Sequence, residues 1–195
     1  MLMDGAHSYG CSKLHFDTRE ELLWSGSESG HITSYYSGQL QKYTSFRIHP
    51  LNNAVRDVIS NGTRIYSLSR DRLTCSQRGG LQDWCATHNE LKNCQALFSQ
   101  RENTVLVGCS PGDQIFELDL TKQGKIVRQV KTEEGGVTLF RSTTSNSRYL
   151  YTADGQGNVH CRDPTSLAVQ HKLRTGFSFL LYLRINVFLG QILIT

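Results

Sequence analysis

The sequence is poor in proline, with three residues in 195, and its six cysteines include no Cys-x-x-Cys pair. Cys11, Cys75, Cys85, Cys94, Cys109 and Cys161 lie 64, 10, 9, 15 and 52 residues apart. That spacing supports neither a zinc ribbon nor a dithiol redox motif. The opening Met1-Leu2-Met3-Asp4 has no cationic stretch leading into an apolar run, so no secretory signal is read there. The cysteines are then expected reduced, as buried or half-buried small residues of a cytoplasmic protein. Asn61-Gly62-Thr63 accordingly reads as a turn rather than a glycan acceptor. Charge of one sign is scarce too: 21 Lys and Arg stand against 17 Asp and Glu, a net charge of +4. The densest cationic groupings, Arg64–Arg70–Arg72 and Lys122–Lys125–Arg128, are too thin for the basic stripe of a nucleic-acid groove, and no direct nucleic-acid site is read. No segment keeps an apolar i, i+3, i+4, i+7 stripe beyond two turns, which leaves no long helix.

What the chain has is glycine, seventeen residues of it, and a repeat. Four segments align: "LLWSGSESGHITSYY" from Leu22, "RIYSLSRDRLTCS" from Arg64, "TVLVGCSPGDQIFELDL" from Thr104 and "YLYTADGQGNVHCRD" from Tyr149. Each is an apolar run, a small-residue step, a polar turn and a second run. Aligned on Trp24, Tyr66, Val107 and Tyr151, the units are 42, 41 and 44 residues apart, the period of a four-stranded propeller blade. Near-continuous apolar second strands (LLW, TVLV, YLY) suit a sheet covered on both faces. In the third unit Ile115, Glu117 and Asp119 alternate with Phe116, Leu118 and Leu120, as a strand requires. Gly30, Gly112, Gly155 and Gly157 fall in or beside the second-to-third turns. Trp-Asp does not occur and no unit opens on Gly-His, although Leu118-Asp119 and Arg162-Asp163 stand where Trp-Asp would fall. The expected fold is therefore all-β: a partial WD40-like β-propeller of about four blades of four antiparallel strands. The blades run over about 11–50, 54–90, 94–133 and 136–175, after an N-terminal extension at 1–10.

Residues 176–195, "GFSFLLYLRINVFLGQILIT", break the pattern, with thirteen of twenty being Phe, Leu, Tyr, Ile or Val. About 20 apolar residues could span a bilayer, but Arg184 near the middle opposes this at roughly 2.5–3.5 kcal/mol. No membrane partner is expected, and the segment reads as a tail foreign to the propeller.

The blades carry a family resemblance. "HFDTREELLWSGSESGHITSYYSGQLQKYTSFRIH", "RGGLQDW", "NTVLVGCSPGDQIFELDL" and "GGVTLFRSTTSNSRYLYTADGQGNVHCRDPTSLAVQHKL" together resemble the N-terminal propeller of the catalytic subunit of the poly(A)-binding-protein-dependent poly(A) nuclease, the PAN deadenylase. The likeness covers about Cys11 to Arg174. It implies a propeller that organises a complex with a smaller regulatory subunit and poly(A)-bound ribonucleoprotein, in the cytoplasm and P-bodies. The family's two-metal exonuclease lies in a later domain, so this stretch is expected to be non-catalytic and without cofactor. An unrelated WD-repeat adaptor is the alternative.

No catalytic, cofactor or metal residue is assigned. Phe16-Asp17 followed by Glu20 and Glu21 resembles an exonuclease opening, but such sites use Asp-x-Glu, which puts both carboxylates on one strand face. Here i+2 is Arg19, so a charged turn between the first two strands is expected. Glu117-x-Asp119 has the spacing in the wrong order and is read as a solvent-facing side of a strand. Gly155-Gln-Gly157 with His160 reads as a turn. His88 with Cys85 and Cys94 lacks a fourth ligand. Tyr35, Tyr36, Tyr43 and Phe46 could stack bases but are expected to pack between blades. No Ser/His/Asp set is assigned.

Overall fold

A computed structural model describes residues 10–101, 103–109, 114–131, 142–145, 149–153, 158–174, 187–188 and 191–192. Four consecutive antiparallel meanders form four four-stranded sheets, each in simple chain order. The first sheet is β1 (Cys11–Asp17), β2 (Leu22–Ser27), β3 (His31–Tyr36) and β4 (Lys42–Arg47). The second is β5 (Asp57–Asn61), β6 (Arg64–Leu68), β7 (Arg72–Gln77) and β8 (Gln82–Thr87). The third is β9 (Cys94–Arg101), β10 (Thr104–Cys109), β11 (Gln114–Asp119) and β12 (Lys125–Lys131), with a 3-10 turn at Leu120–Lys122. The fourth is β13 (Ser142–Ser145), β14 (Leu150–Ala153), β15 (Asn158–Arg162) and β16 (Val169–Arg174). The sheets are the four expected blades. The upstream part of the expected fourth-blade inner strand, 137–141, and Gly112, Gly155 and Gly157 lie outside the described residues, while Gly30 has the expected positive φ of 82°.

The first strands touch in chain order, β1 with β5, β5 with β9 and β9 with β13. The cores therefore lie between blades. Leu22, Trp24 and Ile32 of the first blade pack with Val55, Val58 and Ile65 on the second. Tyr66, Leu68, Leu73 and Cys75 meet Leu97, Val105, Val107, Phe116 and Leu118 of the third. Leu106 and Ile115 meet Leu150 and Leu167 of the fourth. Gly26 belongs to the first seam, since a Cβ there would lie 2.4 Å from Val55 Cγ1. Because neighbouring residues of a strand face opposite ways, these cores correct the sequence alignment at one position. Trp24 and Tyr66 face the following blade, whereas Val107 faces the preceding one; Leu106 is their counterpart. The run TVLV is apolar on both faces, so hydropathy could not set its register, and a one-residue slip reverses the face.

A second seam repeats on the outside. Each third-to-fourth turn rests on the fourth strand of the blade before it. A Cβ on Gly80, in the β7–β8 turn, would lie 2.8 Å from Phe46 Cγ of β4. Gly124, in the β11–β12 turn, abuts Ala86 and Trp84 of β8, and His88 Nε2–H donates to its carbonyl at 2.9 Å. In the β15–β16 turn the Thr165 carbonyl accepts from Arg128 Nη1 of β12.

Cys75, Cys94 and Cys109 are buried and Cys161 half-buried, as expected, but Cys11 and Cys85 are exposed, because each points off a blade into solvent. Asn61-Gly62-Thr63 is the expected turn, with Gly62 at φ 59°. In the tail, Val187–Phe188 (β17) pairs antiparallel with Gln191–Ile192 (β18), and among the described residues no helix is long and apolar enough to cross a membrane.

Candidate functional site

The Asp17 carboxylate sits at the end of β1, where the chain turns sharply enough to put Glu21 at φ 52°. It is buried, and both oxygens are engaged. Oδ1 accepts the Arg19 backbone N–H at 3.0 Å, and Oδ2 accepts Arg78 Nη2 at 2.8 Å. Arg78 comes from the β7–β8 turn of the second blade. Its Nη2 also donates to the Gly62 carbonyl at 2.5 Å and its Nη1 lies 3.3 Å from Glu20. Side-chain exposure is 4% for Asp17, 13% for Arg78 and 57% for Glu20, so the Asp17–Arg78 pair is interior and Glu20 caps it from solvent. The expected turn is present, but Asp17 is a clamp between blades rather than a solvated charge. Its 61-residue separation from Arg78 hid this.

Glu117 departs from expectation as well. It is buried on the side that faces the fourth blade, with Oε2 accepting Arg128 Nε at 2.9 Å. The solvent-facing reading fails because both sides of β11 are covered by neighbouring blades. Asp119 serves as the N-cap of the 3-10 turn, accepting Thr121 N–H at 2.9 Å. Hydrogen bonding from Thr121, with Lys122 nearby, holds its carboxyl below the usual range.

The structure also separates His88 from Cys85 and Cys94: Cys85 is exposed on β8, and Cys94 Sγ lies 3.3 Å from Cys109 Sγ in the core. Among the described residues no three His, Cys, Asp or Glu side chains gather to hold a metal. His160 lies in strand β15, so no helix follows Gly155 and Gly157. Of the four aromatics, Tyr35 is buried and Phe46 packs on Gly80 as expected. Tyr36 and Tyr43 instead lie exposed beside Leu40, their rings edge to face at 5.4 Å. One motif went unread in the sequence: Gly108-Cys109-Ser110-Pro111-Gly112 matches Gly-x-Ser-x-Gly. A nucleophile elbow needs a strand leading into a helix. Ser110, Pro111 and Gly112 lie outside the described residues, and the strands on either side of them, β10 and β11, are antiparallel partners at Cys109 and Gln114.

Two further polar centres escaped sequence reasoning. His49, in the β4–β5 connection, is buried with Nε2 2.8 Å from Ser67 Oγ, while its Nδ1 has no partner. Burial, then the nearby Arg72 charge, pulls its pKa down to about 4. Asp57 joins three inner strands: it takes Lys13 Nζ of β1 at 2.9 Å, its neighbour's N–H, and the Leu97 N–H of β9 at 2.9 Å. Partners 40 or more residues away leave no local signal in the sequence. Tyr36, Leu40 and Tyr43 are exposed on the first blade, and charged side chains join neighbouring blades at Asp17–Arg78 and Lys13–Asp57.

Meandering four-stranded sheets joined side by side through their first strands define a WD40-like propeller segment. The sequence narrows the class further. The chain belongs to the PAN2 N-terminal family, whose model matches residues 7–185, reaching into the apolar tail. The PAN2-PAN3 deadenylation complex catalytic subunit of Emericella nidulans is 35% identical over 157 residues, 79% of this chain and 13% of that protein. Its namesake from Rattus norvegicus is 32% identical over 158 residues, covering 81% and 13%. The chain thus spans about 13% of the length of these curated relatives. Among solved structures, the Neurospora crassa Pan2 WD40 domain aligns with a TM-score of 0.75 at 24% identity, over 86% of this chain and 51% of that one. The computationally designed Ika8 protein aligns with a TM-score of 0.64 at 15% identity, over 86% and 50%. These structural likenesses establish the fold.

Proposed function

We propose that this chain is a non-catalytic propeller segment of a Pan2-type deadenylase subunit, acting as scaffold and protein-contact surface in shortening mRNA poly(A) tails. The family match over residues 7–185 carries the reading. The relatives' name supplies a partner, the Pan3 subunit of the same complex. Family membership sets the unrelated adaptor aside. In this reading residues 11–175 are the propeller segment and work in the cytoplasm, without a cofactor of their own. Asp17, the acid whose sequence context is nuclease-like, is buried and bonded to a guanidinium and a backbone N–H, which supports this part of the reading.

The test is twofold. Purified chain incubated with poly(A) and Mg²⁺ should leave the tail length unchanged, and immobilised chain should capture the Pan3 subunit of its own species. Metal-dependent trimming that Asp17→Ala abolishes would overturn the non-catalytic part. Failure to capture Pan3, or capture unaffected by exposed-face substitutions at Tyr36 and Tyr43, would overturn contact through this surface.

A further inference from the structure

The start of β9 and the end of β10 bring two thiols together. Cys94 and Cys109 are direct partners across that antiparallel pair. A bulge makes them so: Gly108 faces Ala96, and the register then slips past Gln95 to set Cys94 opposite Cys109. An extra residue of this kind re-aims the side chains beside it. Cys94 Sγ lies 3.3 Å from Cys109 Sγ, and the two residues are 0% and 3% exposed. Cys94 also stands on the seam between the second and third blades. Its N–H donates to the Arg70 carbonyl of the β6–β7 turn at 2.8 Å, and both thiols share a core with Tyr66, Leu73 and Cys75 of the second blade.

This geometry suits a covalent bond. Residues directly opposite in an antiparallel pair lie roughly 4.5–5.5 Å apart at Cα, inside the range of roughly 4.4–6.8 Å that disulfides span. The sulfurs need only close from 3.3 Å to about 2.05 Å, which side-chain rotation supplies without moving the backbone. The other cysteines are placed differently: Cys11 and Cys85 are exposed, Cys161 is half-buried, and Cys75 Sγ lies 4.0 Å from an Asp83 carboxylate oxygen. Hydrogen bonding with Cys94, then burial, pushes the Cys109 thiol up. Thiolate, the reactive form, is therefore scarce at neutral pH, and the pair rests as thiols until an oxidant arrives.

We propose that Cys94 and Cys109 form a redox site, which hydrogen peroxide converts to a disulfide that pins β9 to β10 beside the second blade. One cysteine gives up its proton, and its thiolate attacks a peroxide oxygen. The O–O bond breaks, the sulfur becomes a sulfenic acid, and the departing hydroxide takes the proton as water. The second sulfur, already in contact, attacks the sulfenic sulfur. The S–S bond forms, the S–O bond breaks, and hydroxide leaves with the second thiol proton as water. Two thiols lose two electrons between them, and the peroxide is reduced to two waters. An external dithiol reverses the bond by exchange. The bridge joins residues 15 apart and restricts the unfolded chain, so the oxidised form is the more stable one.

Intact mass and peptide mapping of the folded chain, treated with one equivalent of hydrogen peroxide, measure this directly. The expected product has lost two hydrogens, carries Cys94 bridged to Cys109, and leaves four of its six cysteines open to alkylation in denaturant. Dithiothreitol should restore all six. Cys11→Ser with Cys85→Ser removes the two exposed thiols and should leave the bridge unchanged. The midpoint of melting should rise by about 5 °C or more on oxidation and fall back on reduction. A bridge formed through an unfolded chain would favour Cys85 with Cys94, only 9 residues apart, because the shorter loop closes at less entropic cost. That bridge, Cys94 and Cys109 staying free while Cys11 or Cys85 is oxidised, or an unchanged melting midpoint would each overturn the proposal.

Discussion

Replacing Arg78 with alanine is the sharpest test of how the blades are joined. The substitution removes both guanidinium contacts to carboxylates and the bond to the Gly62 carbonyl. What remains is the Asp17 carboxylate, 4% exposed, holding only the Arg19 N–H. Breaking an interior pair from one side costs about 3–5 kcal/mol, mostly because a buried charge is left without compensation. Arg78 is 13% exposed, so water entering its place should hold the loss near the lower end, about 3 kcal/mol. At 2–4 °C per kcal/mol for a chain of this size, the midpoint of melting should fall by roughly 6–12 °C. Asp17→Ala should cost less, because Arg78 keeps Glu20 and the Gly62 carbonyl. Glu20→Ala should stay within about 0.5 kcal/mol, since an exposed partner is screened. Urea titrations of the two single variants and of the double variant give the coupling between them, expected at about 1.5–3 kcal/mol. Additivity within about 0.5 kcal/mol would refute the clamp, and so would Glu20→Ala costing as much as Arg78→Ala.

His49 should make stability depend on pH. Its pKa is lowered from 6.5 to about 4 in the folded state, so between those values the unfolded chain binds more protons and stability rises with pH. The contribution is complete above about pH 6.5 and falls away toward pH 4, amounting to about 3 kcal/mol; urea midpoints of the native chain against His49→Gln should show the slope diminished in the variant. Gly80→Ala combines φ 98° with a Cβ 2.8 Å from Phe46 Cγ, and thermal melting should show a loss of about 1–3 kcal/mol. Asp57→Ala strips Lys13 of its partner and leaves the Leu97 N–H open across three strands, so about 2–4 kcal/mol should be lost in urea titration. Tyr36→Ser with Tyr43→Ser should change stability by less than about 1 kcal/mol, because both rings are already exposed; a larger drop in the melting point would show them to be core.

The blade period and most strands were legible because a meander is local. Each hairpin pairs residues a few positions apart, so its alternation and turns are written contiguously, as in Thr104–Asp119. Legibility failed where the meaning of a residue lies in another blade. Asp17 looked like a turn acid because Arg78 is 61 residues away, and Glu117 looked solvated because the fourth blade covers it. Val107 was assigned to the wrong face because its neighbours are apolar on both sides. His49 and Asp57 carried no signal, since a lone histidine after a strand or an aspartate at the start of one is ordinary until Ser67 and Leu97 are placed against them.

That division has a physical consequence for the candidate surface. In a meander the blade is specified by local sequence, while the seams are specified by side chains that meet only after each blade has formed. A seam residue therefore keeps the backbone shape its seam demands even where it is exposed among the described residues. Leu40 holds a left-handed turn that Leu167 uses only when buried. The exposed Tyr36–Leu40–Tyr43 patch is then better understood as half of a blade seam than as a base-stacking platform. A stacking platform would be expected to sit in a cationic groove, and Glu21, whose carbonyl accepts the Ser37 N–H beside Tyr36, brings an acid to the patch instead. Binding of single-stranded poly(A) to this patch should accordingly be undetectable by fluorescence anisotropy at physiological salt. A salt-dependent affinity that Tyr36→Ser and Tyr43→Ser each weaken would refute the argument and return the patch to nucleic acid.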